Sequence, residues 1–589
     1  MSGTSDGRAP VDPVATEAGR LLCAGTYLDP AYRDRVIEEL YVHEERFPPP
    51  SYGFDAARVL AHALRALRTE VAWSAAIVAA WGLGLLLTRS FFFFLLVPAL
   101  LLSGAGRIKK RRERIGRGGR FFEWILRGCA AFLLGRILWG VFLGLFTDDF
   151  SGFPVEMGGR GNPDLSFLGD YVGYLFENDP LGILMLLPRI GQYYGEVYSW
   201  SLVLIGVLVT VLVYFQRGHF AQTIDSKLSR ARYADWEADP AGGLRFHRAQ
   251  DRIVRMQHAQ VVLYDVDNPF CGAGQARLPW QLTVELRPRA AEEARSLDNA
   301  GIIERIRPKL EALRVPSPGG SETAGASVLD RLRELVIDEC VFLPAAGLPD
   351  VDAVDVSEEA FAEHRAAAVE EGGERRRHFL RVRIGGWDEN LVITVFIRVH
   401  TQGGMLMLEV APHVLLPVRP DFQRADDIAR RHRRNTPLAK VLLALSNAPG
   451  SLGVALATLA GACRVPWRLA TAGHGVAYAA GPGASVRELA SQSDLSLFQL
   501  MDMDRYVKTI QERIVGGVTQ ALHDAGWHTE EFAERAVNVA EGGVFIQSVT
   551  NSAFGINGVS HNSTVNQGKD TSDRKDGRVR AGKESRSGQ

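Results

Sequence analysis

Hydrophobic and polar positions divide the chain into three regimes. In the first, residues 71–215, long apolar runs dominate. Val71 to Thr88 and Ser90 to Gly106 carry no charge and are parted by Arg89 alone. A third run extends from Phe121 to Phe146, and a fourth, VYSWSLVLIGVLVTVLVYF, from Val197 to Phe215. About 20 apolar residues, rising 1.5 Å each, cross a hydrocarbon core of roughly 30 Å. The pattern therefore predicts about four transmembrane helices, the second kinked at Pro98. The first two runs could instead form a re-entrant hairpin, and both versions leave its ends on one side. Tyr198, Trp200 and Tyr214 bracket the fourth run as interfacial aromatics do. LGILMLLP, 181–188, is too short to span and reads as lying along the outer surface.

In the second regime, residues 216–436, the pattern changes to shorter mixed segments. FHRAQDRIVRMQHAQ reads as a helix, followed by strands QVVLYD and QLTVELRP joined through VDNPFCGAGQARLPW. SVLDRLRELVIDEC, 327–340, has the spacing of an amphipathic helix. Leu380, Val382 and Ile384 alternate with Arg381 and Arg383, a two-residue period, and GGWDEN and TQGG supply turns. This predicts a three-stranded antiparallel meander with one buried face, within a cytosolic α+β domain.

The third regime opens on DFQRADDIARRHRRN, where Arg430, Arg431, Arg433 and Arg434 cluster, followed by the uncharged stretch Val441 to Cys463, broken at Pro449-Gly450-Ser451. Basic residues beside apolar helices fit a membrane-surface contact; a buried helical hairpin with solvated arginines fits equally. Val507, Ile510, Ile514, Val518 and Leu522 mark an amphipathic helix that Gly526 ends. The expected domains are thus a cytosolic helical segment 1–70, a membrane region 71–215, the α+β domain 216–436, a membrane-proximal helical part 437–545 and a tail 546–589. The tail is Gly- and Asn-rich, then polar and disordered from Lys569, and could add an edge strand to a partner.

Charge orients this arrangement. RIKKRRERIGRGGR, 107–120, holds eight basic residues, among them Arg107, Lys109, Lys110, Arg111, Arg112 and Arg114, between two apolar runs. Residues 147–196 hold eight acids against Arg160 and Arg189. The positive-inside bias places the basic loop and both termini in the cytoplasm, against the anionic inner leaflet, and the acidic loop outside. A net charge of −1 gives no global attraction to nucleic acid, so none is expected as a partner. Five scattered cysteines without CxxC spacing fit reduced thiols, and no cleavable leader is evident at the N-terminus. Together these features place the chain in a bacterial inner membrane as a multi-pass protein. Inside the third run, Arg136 is either a gating or ion-coupling charge or a residue that snorkels to lipid phosphate or faces the bundle.

Catalytic motifs are scarce. VVLYDVDNPF resembles the nucleophile motif of haloacid-dehalogenase-like phosphatases at Asp265 and Asp267, with Lys309, Asp350, Asp352 and Asp355 available as partners. A Pro stands in place of the usual Thr or Val, and the chain turns into a second strand, so a polar turn explains the motif better. No P-loop, HExxH, GxSxG or GxGxxG follows a strand, and the 14 His show no metal spacing. No catalytic residue, metal or cofactor is therefore expected.

VVLYDVDNPFCGAG, RVHTQGGMLMLEVAPHVLLPV, and SVRELASQ with DMDRYVKTIQERI are similar to a group of uncharacterised multi-pass membrane proteins from actinobacteria. The likeness covers roughly residues 245–545. Its clearest element is the PFxGAG turn, with Pro269, Phe270, Gly272 and Gly274 as structural residues. The resemblance implies a cytosolic domain hung on a variable membrane region and no activity. The combined expectation is a non-enzymatic membrane anchor whose cytosolic domain docks a soluble partner. That partner is a signalling protein, a filament or a large assembly such as a phage-tail-like contractile machine, and a homo-oligomer is compatible. A transporter, channel or regulatory subunit is the alternative, then an Asp265-dependent phosphatase.

Overall fold

The computed structural model describes residues 16–88, 117–146, 195–235, 247–289, 294–314, 335–371, 375–386, 390–471 and 478–542, with a few positions between 98 and 108. The helices are α1 (Glu17–Leu28), α2 (Pro30–Ile37), α3 (Ala56–Thr88), α4 (Arg117–Phe146), α5 (Gly195–Gln222), α6 (His247–Met256), α7 (Asn299–Glu311) and α8 (Glu358–Glu371). They continue as α9 (Ala425–Arg434), α10 (Pro437–Asn447), α11 (Ser451–Thr471), α12 (Leu497–Asp524) and α13 (Glu530–Gly542). Local chemistry sets their starts. Thr16 accepts the Gly19 N–H, Asp29 accepts that of Ala31 before Pro30, and Ser496 with Gln499 forms a capping box.

Two helices among the described residues are long and apolar enough to cross a membrane, Ala56–Leu86 and Val203–Lys227. The pair Pro437–Asn447 and Ser451–Arg468, bent by 71°, makes a third if it is one span. The expected number was about four. The second apolar run and the acidic loop lie largely or wholly outside the described residues. α4 is a 30-residue helix whose described side chains end at Gly135. The 441–463 stretch is more than a flank. Ala444, Ala448, Leu452 and Ala455 form one apolar cluster with Ile77 and Trp81 of α3 and Ile205, Val209 and Val213 of α5. The outward sides of this pair stay apolar, with Leu438, Val441, Leu442, Leu445 and Val454 exposed.

The strands are β1 (Val261–Tyr264), β2 (Gln275–Ala276), β3 (Trp280–Glu285), β4 (Val336–Pro344), β5 (Arg377–Gly386), β6 (Leu391–Gln402) and β7 (Met405–Leu415). They form one seven-stranded mixed sheet ordered β1-β4-β5-β6-β7-β2, with β3 also paired to β7. β1 runs parallel to β4, with Val261 opposite Val341, whereas β4 through β7 pair antiparallel. The sheet is therefore larger than the expected three strands, and both its faces are covered. Leu380, Val382, Ile384 and Ile397 pack under α7 and α12, against Ile306, Ile510 and Ile514. Phe379, Phe396, Phe342 and Cys340 face the other way, against Tyr52 and Ala273.

Arg381 alternates with apolar neighbours yet is buried, its guanidinium donating to Asp338 at 2.8 Å and lying 5.4 Å from the Tyr52 ring centre. The second half of SVLDRLRELVIDEC is strand β4, since its β-branched and aromatic continuation VIDECVFLP pairs on both sides; 327–334 lie outside the described residues. The boundary expected at 436–437 also cuts through a core, because α12 and α13 contribute Ile510, Val518 and Phe532 to the sheet's apolar cluster.

Candidate functional site

Residues 16–70 form the hub of the molecule. Leu22, Val36, Leu60 and Phe54 pack with Ile224 and Leu228 after α5, Ile253 of α6, Phe422 and Val486. Arg20 pins three of these segments. Its guanidinium donates to both carboxylate oxygens of Glu17, to both of Asp426, and to the Leu228 carbonyl. Burial opposes its charge, but the hydrogen bonds it donates to both carboxylates, with their negative charges, outweigh this and raise its pKa.

A second junction ties the sheet to this hub. Asp265 accepts the Asp267 N–H at 2.9 Å, an Asx turn that leads into Pro269 and Phe270. The Phe270 ring sits 4.8 Å from that of Phe396 and 4.5 Å from His413. Gly272 and Gly274 follow with φ of +96° and +92°. A Cβ on them would fall 2.5 Å from the Pro50 carbonyl oxygen and 2.2 Å from that of Val414, so both conformation and space require glycine. Their N–H groups donate at 2.8 and 2.9 Å to one oxygen, Oε1 of Glu488. Glu488 belongs to SVRELASQ, so two separate motifs of the chain meet here. Burial pushes its carboxyl pKa up, against the opposing bonds from Gly274, Gly272 and Ser485.

Nearer the apolar helices, α9 abuts the end of α5 and the following turn Thr223–Lys227. Arg430, Arg431, Arg433 and Arg434 are all exposed; Arg430 pairs with Asp427, and Arg433 lies 3.3 Å from Asp225. Arg107, Lys109, Lys110, Arg111, Arg112 and Arg114 lie outside the described residues, as does the side chain of Arg136. Glu123 and Arg127 of α4 pair at 2.9 Å. Two cavities lie among these helices, one of about 370 Å³ between α3, α5, α9 and α10 and one of about 710 Å³ between α2, α3, α4, α5, α10 and α11. The larger is walled by Arg33, Glu70, Ser74, Gln216 and Thr458 among small residues of α11. Glu70 pairs with Arg33 and accepts from Thr458 at 3.3 Å. Glu70 was missed in the sequence, although it directly precedes the first apolar run.

The remaining chemical candidates are dispersed. No hydrogen bond or ion pair among the described residues joins Asp265 to Lys309, Asp350, Asp352 or Asp355. Asp350 and Asp355 accept backbone N–H groups of Asp352 and Ser357, and Asp352 pairs with Arg255. Among the described residues no group of three or more His, Cys, Asp or Glu is placed to hold a metal ion. A different feature stands out on the sheet domain. The first turn of α12 exposes Leu497, Phe498 and Met501, each more than half accessible, between Asp494, Asp502 and Asp504. An apolar run directly after a capping box was its sequence signal.

A family model described as an AbeC-like domain matches residues 279–553, just under half of the 589 residues. No curated protein and no solved structure matches the chain. The matched stretch begins after the PFxGAG turn, yet β1 and β2, which precede it, belong to the same sheet. The folded domain thus extends beyond the match on its N-terminal side.

Proposed function

We propose that the chain is a non-enzymatic, multi-pass anchor of the bacterial inner membrane that presents its cytosolic sheet domain to a soluble protein or assembly. The observation that carries this reading is the exposed apolar turn Leu497, Phe498 and Met501 on a domain joined to the apolar helices through the hub. Asp494 and Asp504 beside it, with Asp502 paired to Arg505, disfavour an anionic leaflet, so a protein with apolar and cationic groups is the better complement. Both termini and the basic loop face the cytoplasm in this reading, where the exposed arginines of α9 rest on the inner leaflet. The partner is a signalling protein, a filament or a contractile assembly, and self-association is compatible. A cross-linked pull-down of the full-length chain, compared with Phe498→Asp/Met501→Asp of equal melting temperature, tests it. Recovery of a stoichiometric soluble partner by the wild type alone supports docking at this turn; equal recovery by both moves the site elsewhere, and no partner sinks the reading.

The larger cavity favours a second reading, passage of a small polar solute or ion. It lies between both apolar helices and carries Glu70, Ser74, Gln216 and Thr458 on its wall. Flux in proteoliposomes that Glu70→Gln abolishes would favour transport, whereas no flux in the wild type would remove it.

A further inference from the structure

The smaller cavity, about 370 Å³, lies where α3, α5, α9 and α10 meet at the hub end of the apolar helices. Trp73 and Phe215 are among its apolar lining, and His219, His432, Arg433, Lys440 and Asp225 supply its polar lining. Arg433 and Lys440 outnumber the single acid Asp225, and the Arg433–Asp225 contact, at 3.3 Å with Arg433 about two-thirds exposed, is a weak one. Burial and then the charges of Lys440 and Arg217 push the His432 imidazole pKa down, as a cationic pocket does. Lys440 stands in the first turn of α10, whose dipole adds positive potential.

The surroundings say what kind of anion fits. Leu204, Leu208, Val211 and Phe215 are exposed along α5, and Leu438, Leu442 and Leu445 along α10. The cavity is therefore a cationic notch at the head of a long apolar surface, with an indole at its margin. A soluble phosphate would use only the notch. A lipid uses both, its phosphate at the cations and its acyl chains along α5 and α10.

We propose that this notch is a binding site for one anionic glycerophospholipid, held by its phosphate between Arg433 and Lys440. The site rests on the reading of α3 and α5 as membrane helices. It differs from general attraction of a basic surface, because Arg430 and Arg431, on the same helix, do not line the cavity.

The test uses the full-length protein in nanodiscs of phosphatidylcholine alone and of phosphatidylcholine with phosphatidylglycerol, with retained lipid counted by native mass spectrometry. The wild type retains one phosphatidylglycerol. Arg433→Ala/Lys440→Ala weakens its retention about 30-fold, the loss of two cation–phosphate contacts. Arg430→Ala/Arg431→Ala leaves it within about twofold, and Lys440→Glu behaves like the double pocket variant. Equal loss in both double variants would reduce the site to surface charge and overturn the proposal, as would retention by the pocket variant. Displacement of the lipid by excess inorganic phosphate would reassign the notch to a soluble anion. Failure of the wild type to enter phosphatidylcholine nanodiscs would refute the membrane reading itself, whereas entry without selectivity would refute only the lipid site.

Discussion

Glu488 offers a direct test of how the sheet is joined to the rest of the chain. One of its oxygens accepts two N–H groups, from Gly272 and Gly274, at 2.8 and 2.9 Å. Glu488→Ala strands both donors, at about 1–3 kcal/mol each, or roughly 2–6 kcal/mol in all. That is a large share of the 5–15 kcal/mol by which domains are typically stable. Glu488→Gln keeps an oxygen in the same place and removes a charge that burial disfavours. Because burial raises the folded pKa above its unfolded value, the proton contributes stability that is complete below the unfolded pKa. It is lost as pH rises through the folded one. Glutamine does not titrate, so Glu488→Gln should melt at or above the wild-type temperature from neutral pH upward, and Glu488→Ala well below it at every pH. Thermal unfolding in detergent, followed across pH, reads both variants. If Glu488→Gln falls as far as Glu488→Ala, the negative charge itself holds the turn and the reasoning from burial is wrong.

Glu339 should behave oppositely: burial raises its pKa, but hydrogen bonds from His378 and Arg365 win and hold it at about 2. Its contribution, about 3 kcal/mol, is present at neutral pH and lost as pH falls from 4.5 toward about 2. Glu339→Gln should flatten this acid limb in a pH-dependent melt. Arg20→Ala leaves Glu17 and Asp426 without their shared cation and should cost about 3–5 kcal/mol; Arg20→Lys, lacking the planar fork, should recover only part of it in the same melt. With the exposed Cys129 and Cys463 replaced by serine, Asp170→Cys should react with an impermeant maleimide on whole cells, and Glu113→Cys only after lysis. The 216–589 fragment, stripped of the hub, uncovers Phe422, Val418 and Ile253 and should aggregate in gel filtration where the detergent-solubilised full chain does not.

Periodicity made part of this molecule legible. Uncharged runs announced α3 and α5, and the two-residue alternation of 380–384 announced β5, because both depend on neighbours in the chain. What escaped depends on distant partners. Arg381 reads as solvent-facing until Asp338 and Tyr52 arrive from 43 and 329 residues away. The PFxGAG turn was recognisable by its glycines, but not its lock, since Glu488 stands 216 residues beyond Gly272. Residues 327–340 combine a helical period with a β-branched end, and pairing of Val336–Cys340 with β5 decided the second half. The role of α10 and α11 was ambiguous because an apolar pair broken at Pro449-Gly450 is compatible with bilayer or protein; its packing on Ile77 and Val209 removes the ambiguity about its neighbours.

The manner of attachment bears on the proposed anchoring role. Recruitment alone requires only a flexible linker between bilayer and binding domain. Here α3 runs unbroken for 33 residues, about 50 Å, from the hub at Ala56 into the apolar region. α5 returns to the same hub through Ile224 and Leu228. The chain then crosses from sheet to apolar bundle and back through α10 and α11 before α12 closes the sheet's core. Three connections of this kind resist hinge motion, because bending at any one disturbs buried contacts of the others. Such an attachment supports a reading in which the exposed turn of α12 is held at one height and orientation above the bilayer. A partner built from many copies, such as a filament or contractile assembly, gains from that fixed geometry, since each copy meets the membrane at the same angle.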